Sequence, residues 1–288
     1  MRLVKAKNYI HCPVRANLLG GWTDQLLWKE KAAVINFSMG WEGPKCPDDY
    51  PLTLDTLGRF RSAINGRGTG LGISSIRAGM MYRQSFPEKS SNDYIKFVLE
   101  YEKAILGTEG GWQDQIGGLE PGFKLITTPG DDKNRHKKFK IIRCDNHPVV
   151  ERIILFDTRE RRNAGNIGDL VRDLMQRDRK FQNHLRKVAE LAEECFEKDA
   201  DEVIKACNFS WQGFLGFVPK MKLPKPLPKS KKIVGHMLLG AGGGGFGIVF
   251  VDKPESRQEV IEILSKSGFW ATVPKVMSGI KLIQTEEK

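Results

Sequence analysis

The chain has 288 residues, of which 40% are hydrophobic and 28% charged, and a formal net charge of +11. That length fits one large domain or two ordinary ones, and the balance is that of a globular protein rather than a fibrous or disordered one. The five cysteines, at 12, 46, 144, 195 and 207, are odd in number and lack CxxC spacing, which argues against a disulfide framework or a zinc site and for a reducing compartment.

The first fifteen residues have no long apolar run and do not read as a signal peptide, so a cytoplasmic setting is expected. Residues 3–10 alternate loosely and predict a strand. Residues 12–24 read CPVRANLLGGWTD. Pro13 sets an extended entry. Leu18 and Leu19 can bury, Gly20 and Gly21 break the strand, and Thr23 and Asp24 close it with polar groups. Arg15, on a strand leading into a Gly-Gly turn, can reach a phosphate or orient a carboxylate. An edge-strand salt bridge is the alternative. Residues 31–41 predict another strand, and the Gly, Pro and Asp content of 41–51 predicts a loop.

Residues 66–75 read GRGTGLGISS, with four glycines inside seven positions and two closing serines. The helix-capable residues Ile76, Ala78, Met80 and Met81 follow. A glycine-rich loop running into a helix can cradle an anion, because glycine permits close approach and the first helical N–H groups lack internal partners. A hydroxyl at its end can bind Mg²⁺. No lysine follows the last glycine, so this is not a Walker A loop. A flexible turn capping a helix is the plain alternative.

Residues 90–106 predict a helix capped by Ser90, with Asp93 three positions on. Ile95, Leu99, Glu102 and Leu106 share one stripe. Glu102 thus sits on an apolar face and, if buried, needs a partner such as a metal; a boundary glutamate that reaches water or pairs with a lysine is the alternative. Gly107 closes the helix. In residues 110–118, GGWQDQIGG, Asp114 can take a proton from a substrate hydroxyl or can cap a helix. A polar loop at 128–138 precedes an expected domain boundary between 145 and 146.

Residues 151–157 predict a strand. One long amphipathic helix is expected through Leu170, Leu174, Phe181, Leu185, Val188, Ala192 and Cys195. Residues 221–232, rich in Lys and Pro, are expected to be extended and mobile. With 159–162 they form the main basic clusters, but no nucleic-acid signature accompanies them, which argues against a nucleic-acid partner. The charge-free run 233–251 is too glycine-rich for a membrane span. Its four consecutive glycines, Gly242, Gly243, Gly244 and Gly245, fit a backbone that must pass close to something else. A strand over 246–251, a helix from Pro254 to Lys266 closed by Gly268, and a last strand over 280–283 complete the chain.

Three blocks in this order resemble the motifs of the GHMP kinases, the galactokinase, homoserine kinase, mevalonate kinase and phosphomevalonate kinase superfamily. CPVRANLLGGWTD resembles motif one, GTGLGISS motif two and LLGAGGGGFGIVF motif three. With GGWQDQIGG the match covers nearly the whole chain. GGWTD and GGWQDQ look most like the L-fucokinase branch, although the related D-glycero-D-manno-heptose-7-phosphate kinase branch usually has Lys where Trp112 stands. The spacing in YEKAILGTEGGWQDQ instead resembles that heptose branch, and RRNAGNI resembles a segment of both.

The resemblance implies an α+β fold of two domains with the active site in the cleft. Residues 1–145 would form a ribosomal S5 domain 2-like, ATP-binding domain and 146–288 a ferredoxin-like one. Gly68, Gly70, Leu71, Gly72, Ser74 and Ser75 would hold ATP. Ser74 and Glu102 would bind Mg²⁺. Asp114 would be the base, with Arg15 near it and near the transferred phosphoryl group. Gly21, Trp22, Asp24 and Gln113 would surround the sugar, and Gly242 to Gly245 would support the site from the second domain. The implied activity is phosphorylation of a sugar, at its anomeric hydroxyl, with L-fucose or a related sugar as acceptor. A heptose-7-phosphate 1-kinase and a non-catalytic sugar- or partner-binding protein are the alternatives. The partner is a small sugar or sugar phosphate, with no membrane. Three departures stand out: Ile73 replaces a small or hydroxyl residue, Asn17 replaces the Asp usual in fucokinases, and the stretch between motifs one and two is short.

Overall fold

The structure is a computed structural model that describes residues 7–25, 27–41, 51–55, 59–62, 68–102, 104, 111–130, 138–160 and 164–285. Three antiparallel sheets organise it. The first contains β1 (Lys7–Cys12), β4 (Leu52–Asp55), β5 (Phe60–Ser62) and β13 (Lys281–Thr285), in the order β13-β1-β4-β5. The second is built on β3 (Ala32–Gly40), which pairs with β2 (Val14–Leu19) and with β6 (Phe123–Thr128). It is extended by β7 (Lys140–Cys144) beside β6 and by β12 (Lys275–Val276) at the end of β3. The third holds β8 (Ile153–Asp157), β9 (Ile233–Leu238), β10 (Phe246–Val251) and β11 (Trp270–Thr272), in the order β11-β8-β10-β9.

Three helices belong to the first half: α1 (Ile73–Ser85), α2 (Ser91–Tyr101) and α3 (Gln113–Leu119). Four belong to the second: α4 (Ala164–Arg177), α5 (Arg179–Cys195), α6 (Ala200–Phe217) and α7 (Arg257–Lys266). Every residue of β2 and β3 is buried. Both strands pack against α3 and α5. Coverage of both faces explains why the polar residues that alternate along these strands, Arg15, Asn17, Asn36 and Ser38, are buried with the apolar ones. The expected strands at β1, β2, β3 and β10 and the helix at α7 all form. Residues 1–6 and 42–50, most of the expected loop at 128–138, and Gly66, Leu106, Gly107 and Gly110 lie outside the described residues.

Local chemistry sets the helix ends. Ser90 caps α2 by a reciprocal pair of bonds with Asp93: Ser90 Oγ accepts from the Asp93 N–H at 3.3 Å, and Asp93 Oδ2 from the Ser90 N–H at 3.1 Å. The single long helix expected through 170–195 is instead two. Asp178 breaks it by accepting from the N–H groups of Lys180 (2.8 Å) and Phe181 (3.0 Å), the cap of α5. A side-chain acceptor at this point outcompetes the i→i−4 bond that would carry one helix through. Apolar periodicity alone did not show this, because both helices bury stripes of the same spacing.

α6 had no counterpart in the sequence expectations, yet its signal is legible. Asp199 accepts from the Glu202 N–H at 3.0 Å, and Ala200, Val203, Ile204, Cys207, Trp211 and Phe214 form a buried stripe. The Lys/Pro tract is extended as expected but tied down rather than mobile. Met221 is buried, Lys225 donates to the Ser267 carbonyl at 2.6 Å and lies over the Phe269 ring, and Lys232 pairs with Glu259.

The two halves are packed together. Trp41 from the first half meets Phe246 and Trp270 from the second, with ring centroids 6.0 and 5.9 Å away. The last strands cross back, since β12 pairs with β3 and β13 with β1. A division at 145/146 therefore leaves these two strands in sheets of the first half.

Candidate active site

A cleft of about 1140 Å³ is lined by residues of both halves. At its floor stands Arg15, on β2 and only 2% exposed. Its Nε and Nη2 donate to one oxygen of Asp114, Oδ1, at 2.8 and 2.5 Å. Its Nη1 donates to the Gly70 carbonyl at 2.5 Å. One guanidinium thus ties the carboxylate to the glycine-rich loop. A buried, three-bonded arginine is not the exposed edge-strand ion pair that its strand position also allowed.

Asp114 lies in the first turn of α3, with its side chain 29% exposed toward the cleft. It does not cap that helix. The backbone cap residue is Trp112, and the carboxylate that accepts from the helix belongs to Asp24, whose Oδ2 takes the Gln113 N–H at 2.9 Å. Gly111 makes this approach possible, because a Cβ there would stand 1.9 Å from Asp24 Oδ2. Asp24 is 0% exposed and stands behind the residues that line the cleft. Gly21, Trp22 and Gln113 do line the cleft, and Gln25 joins them. Trp22 has φ of 75°, an unusual conformation for a bulky residue. The turn beneath it is held by the Thr23 hydroxyl donating to the Gly20 carbonyl at 2.7 Å.

Above the floor runs the loop 68–72, with positive φ at Gly68, Gly70 and Gly72. Leu71 is buried and anchors it: the Arg15 N–H donates to its carbonyl at 3.4 Å. A Cβ at Gly72 would lie 3.1 Å from Arg15 Nε and 3.4 Å from the Asp114 side chain. α1 starts directly after Gly72 with no side-chain cap. Its first N–H groups therefore face the cleft without an internal acceptor.

The two serines divide. Ser74 is exposed and lines the cleft, whereas Ser75 is buried and donates its hydroxyl to Glu102 Oε1. Of the two adjacent hydroxyls it is Ser75 that bonds Glu102. Glu102, at the end of α2, also accepts from Gln115 Nε2 at 3.2 Å through its other oxygen. Burial pushes its pKa up to about 7, against the lowering effect of the Ser75 bond, and the nearby Asp114 charge adds to the rise. Among the described residues no cluster of three or more His, Cys, Asp or Glu gathers to hold a metal. A hydroxyl and a carboxylate side by side suit a hard cation that keeps most of its ligands from phosphate and water.

The four-glycine turn stands behind the loop. Gly242, Gly243, Gly244 and Gly245 all have positive φ. A Cβ at Gly245 would lie 2.6 Å from the Gly68 carbonyl oxygen, and the Phe246 N–H donates to the Thr69 carbonyl at 2.9 Å. The second half therefore touches the loop through backbone, as expected of a supporting element.

Among the residues of the cleft wall that sequence reasoning missed are Arg172 on α4 and Trp211 on α6. Three buried polar atoms of lining residues have no protein partner: Asn17 Oδ1, Gln113 Oε1 and Trp211 Nε1. Two acceptors and one donor without partners, gathered in one cleft, match a ligand rich in hydroxyl groups.

No protein-family model matches the chain. The chain is similar to the bifunctional fucokinase/GDP-fucose pyrophosphorylase of Arabidopsis thaliana, at 28% identity over 89% of its length. It spans about a third of that relative, 31%. The alignment runs over 332 positions, more than the 288 residues of the chain, so the relative carries insertions. Among solved structures, the Lactococcus lactis galactokinase complexed with galactose superposes with a TM-score of 0.63 at 13% identity, covering 96% of this chain and 95% of that one. A D-glycero-D-manno-heptose 1-phosphate kinase from Bacteroides thetaiotaomicron gives 0.62 at 12% identity, covering 98% and 100%. The chain therefore has the GHMP-kinase fold, the fold that its three glycine-rich motifs imply, and its sequence similarity lies with part of a bifunctional fucokinase/GDP-fucose pyrophosphorylase.

Proposed function

We propose that the chain is an ATP- and Mg²⁺-dependent carbohydrate kinase that phosphorylates the anomeric hydroxyl of L-fucose or a related sugar. Residues 1–145 would carry the ATP-binding domain and 146–288 the C-terminal one, in a cytoplasmic protein. The observation that carries this reading is the Arg15–Asp114 pair. Both bonds from Arg15 fall on Asp114 Oδ1, which leaves Oδ2 for a substrate hydroxyl at the cleft.

When bound, ATP supplies the transferable phosphoryl group and Mg²⁺ offsets the phosphate charge. The uncapped first turn of α1 and the backbone of Gly70 and Gly72 would hold phosphate oxygens. Ser75 and Glu102 would ligate the metal, with Ser74 at the cleft surface beside them. Phe60, Arg77, Met81 and Tyr101 line the same cleft, and Arg77 lies 4.8 Å from the Phe60 ring centroid, a wall suited to a planar base. Asp114 Oδ2 would orient the sugar hydroxyl and take its proton as the new oxygen–phosphorus bond forms and the bond to the departing diphosphate breaks. Arg15 would fix that carboxylate and add positive charge near the transferred group.

A second acceptor, heptose 7-phosphate, is favoured by the spacing between α2 and α3 and by a heptose kinase among the structural neighbours. A screen of ADP release over free sugars and sugar phosphates separates the two. Asp114→Asn retains the acceptor for Arg15 and should lower single-turnover transfer by about 10²- to 10⁴-fold with its melting temperature little changed. Transfer at the unmutated rate would remove Asp114 as the base. ADP release with none of the sugars would leave the non-catalytic reading in place of the kinase.

A further inference from the structure

Arg15 and Lys124 are the two buried arginine or lysine side chains among the described residues, and the phosphoryl-transfer site uses only the first. Lys124 lies on β6, and its Nζ donates to three carbonyls: Gly117 at 3.2 Å, Glu120 at 3.0 Å and Gly122 at 2.9 Å. Gly117 is in the last turn of α3 and Glu120 is its C-cap residue. Carbonyls at a helix C-terminus have no intrahelical partner, and a cation there is favoured by the helix dipole. An ammonium has three N–H groups, so each one finds an oxygen. The neighbouring charges are Glu120 and Arg143, which pair with each other at 2.7 Å. Burial pushes Lys124 down to about 7, against the raising effect of Glu120. A neutral amine would turn a lone pair toward one of the three oxygens, so the arrangement is built for the protonated form.

α3 has seven residues and cannot persist on its own. Its place is set by what grips it. Asp24 holds its N-terminus through the Gln113 N–H. Along its length Gly117 faces the Arg15 side chain, where a Cβ would come within 2.7 Å, and Gly118 faces Ile76, where it would come within 2.4 Å. Lys124 holds the other end.

We propose that Lys124 is a positioning residue for the phosphoryl-transfer site: its ammonium pins the C-terminal end of α3 and so holds Asp114 in register with Arg15. The inference rests on the role proposed above for Asp114. It accounts for a fully buried lysine in the middle of a sheet, with Asn36 and Arg143 as its cross-strand partners. It also separates two functions of the N-terminal half, since the nucleotide loop and α1 make no bond to Lys124.

Lys124→Met keeps the stem and removes the donors. The full chain carrying it should bind ATP, by calorimetry, as the unmutated protein does. Its kcat should fall about tenfold or more with KM for ATP unchanged, and amides 113–119 should exchange faster with deuterium while those of α5 and α6 do not. Lys124→Gln, which keeps two N–H donors, should fall between the two in both readouts and serves if the Met variant does not fold. Unchanged exchange in α3, or full kcat in the Met variant, would overturn the proposal. If the unmutated chain phosphorylates no sugar, the kinase reading fails, and deuterium exchange in α3 decides the clamp by itself.

Discussion

Two glycine-rich turns meet in this molecule, alike in composition and opposite in use. In the loop 68–72, glycines with positive φ lead into a helix without a side-chain cap, and its N–H groups open on the cleft. In the turn formed by Gly242, Gly243, Gly244 and Gly245, two of the four amides are already spent. Gly243 donates to the Met221 carbonyl and Gly245 to the Glu160 carbonyl, each at 3.0 Å. The Gly245 carbonyl in turn accepts from the Thr158 N–H and hydroxyl at 3.0 and 2.9 Å. The first turn offers donors to a ligand; the second uses glycine so that backbone can press against backbone. Lack of a side chain is the shared cause, and hydrogen-bond accounting decides between the two outcomes. The caps point the same way. α2, α5 and α6 each begin on a Ser or Asp side chain, and α3 is held by Asp24, whereas α1, at the cleft, begins on none.

The largest expected effect tests the first turn. Gly72→Val places a branched side chain against Arg15 and Asp114 at φ of 71°. Losing two charge-assisted phosphate contacts should weaken ATP binding by about a hundredfold or more. Unchanged affinity by calorimetry would break the contrast, because the first turn would then be a support like the second.

Gly245→Ala should have the next effect. Its Cβ would sit 2.6 Å from the Gly68 oxygen and 2.7 Å from the Thr69 oxygen, so the loop 68–72 itself must shift. A lower melting temperature and roughly tenfold weaker ATP binding are expected, equivalent to about 1.4 kcal/mol. Gly243→Ala sharpens the comparison from the other side. Its Cβ would meet the end of the Ile167 side chain at 2.9 Å and the Lys220 oxygen at 3.1 Å, away from the cleft floor. Stability should drop by about 1–2 kcal/mol from the left-handed conformation alone, with ATP affinity preserved. Equal loss of affinity in both alanine variants would show that the turn acts as one unit.

The smallest effect concerns Glu102. Its pKa, raised to about 7, means that the folded apoprotein holds a proton that the unfolded chain has lost. The stabilisation is fully present below the unfolded value of about 4.3 and is lost as pH rises through about 7. A proton and Mg²⁺ compete for the same carboxylate, so Mg²⁺-dependent ATP affinity should rise with pH across that window. Glu102→Gln should flatten both profiles. A titration of melting temperature against pH that is as steep in the variant as in the unmutated chain would assign the slope to another group.

Much of this molecule follows from sequence order. The cap at Ser90, the strand at β3, the glycine-flanked turns and the stripe that buries Glu102 are all local patterns, and each depends on residues within about one helical turn or a few strand positions. The family resemblance likewise rests on contiguous blocks, and from them come the cleft, the glycine loop and the pairing of Arg15 with Asp114. Tertiary structure decided what local pattern leaves open. Asp24 and Asp114 are both carboxylates beside glycines, and only the fold shows that Asp24 grips the α3 backbone while Asp114 faces the cleft. Ser74 and Ser75 are adjacent and chemically identical, and the helical phase of α1 against α2 chooses Ser75 for Glu102. Lys124 reads as one residue of an apolar strand until three carbonyls, two of them from a helix end, converge on it. In each case the deciding partner is distant in sequence or is backbone, and a backbone N–H or C=O carries no signature in the amino-acid sequence.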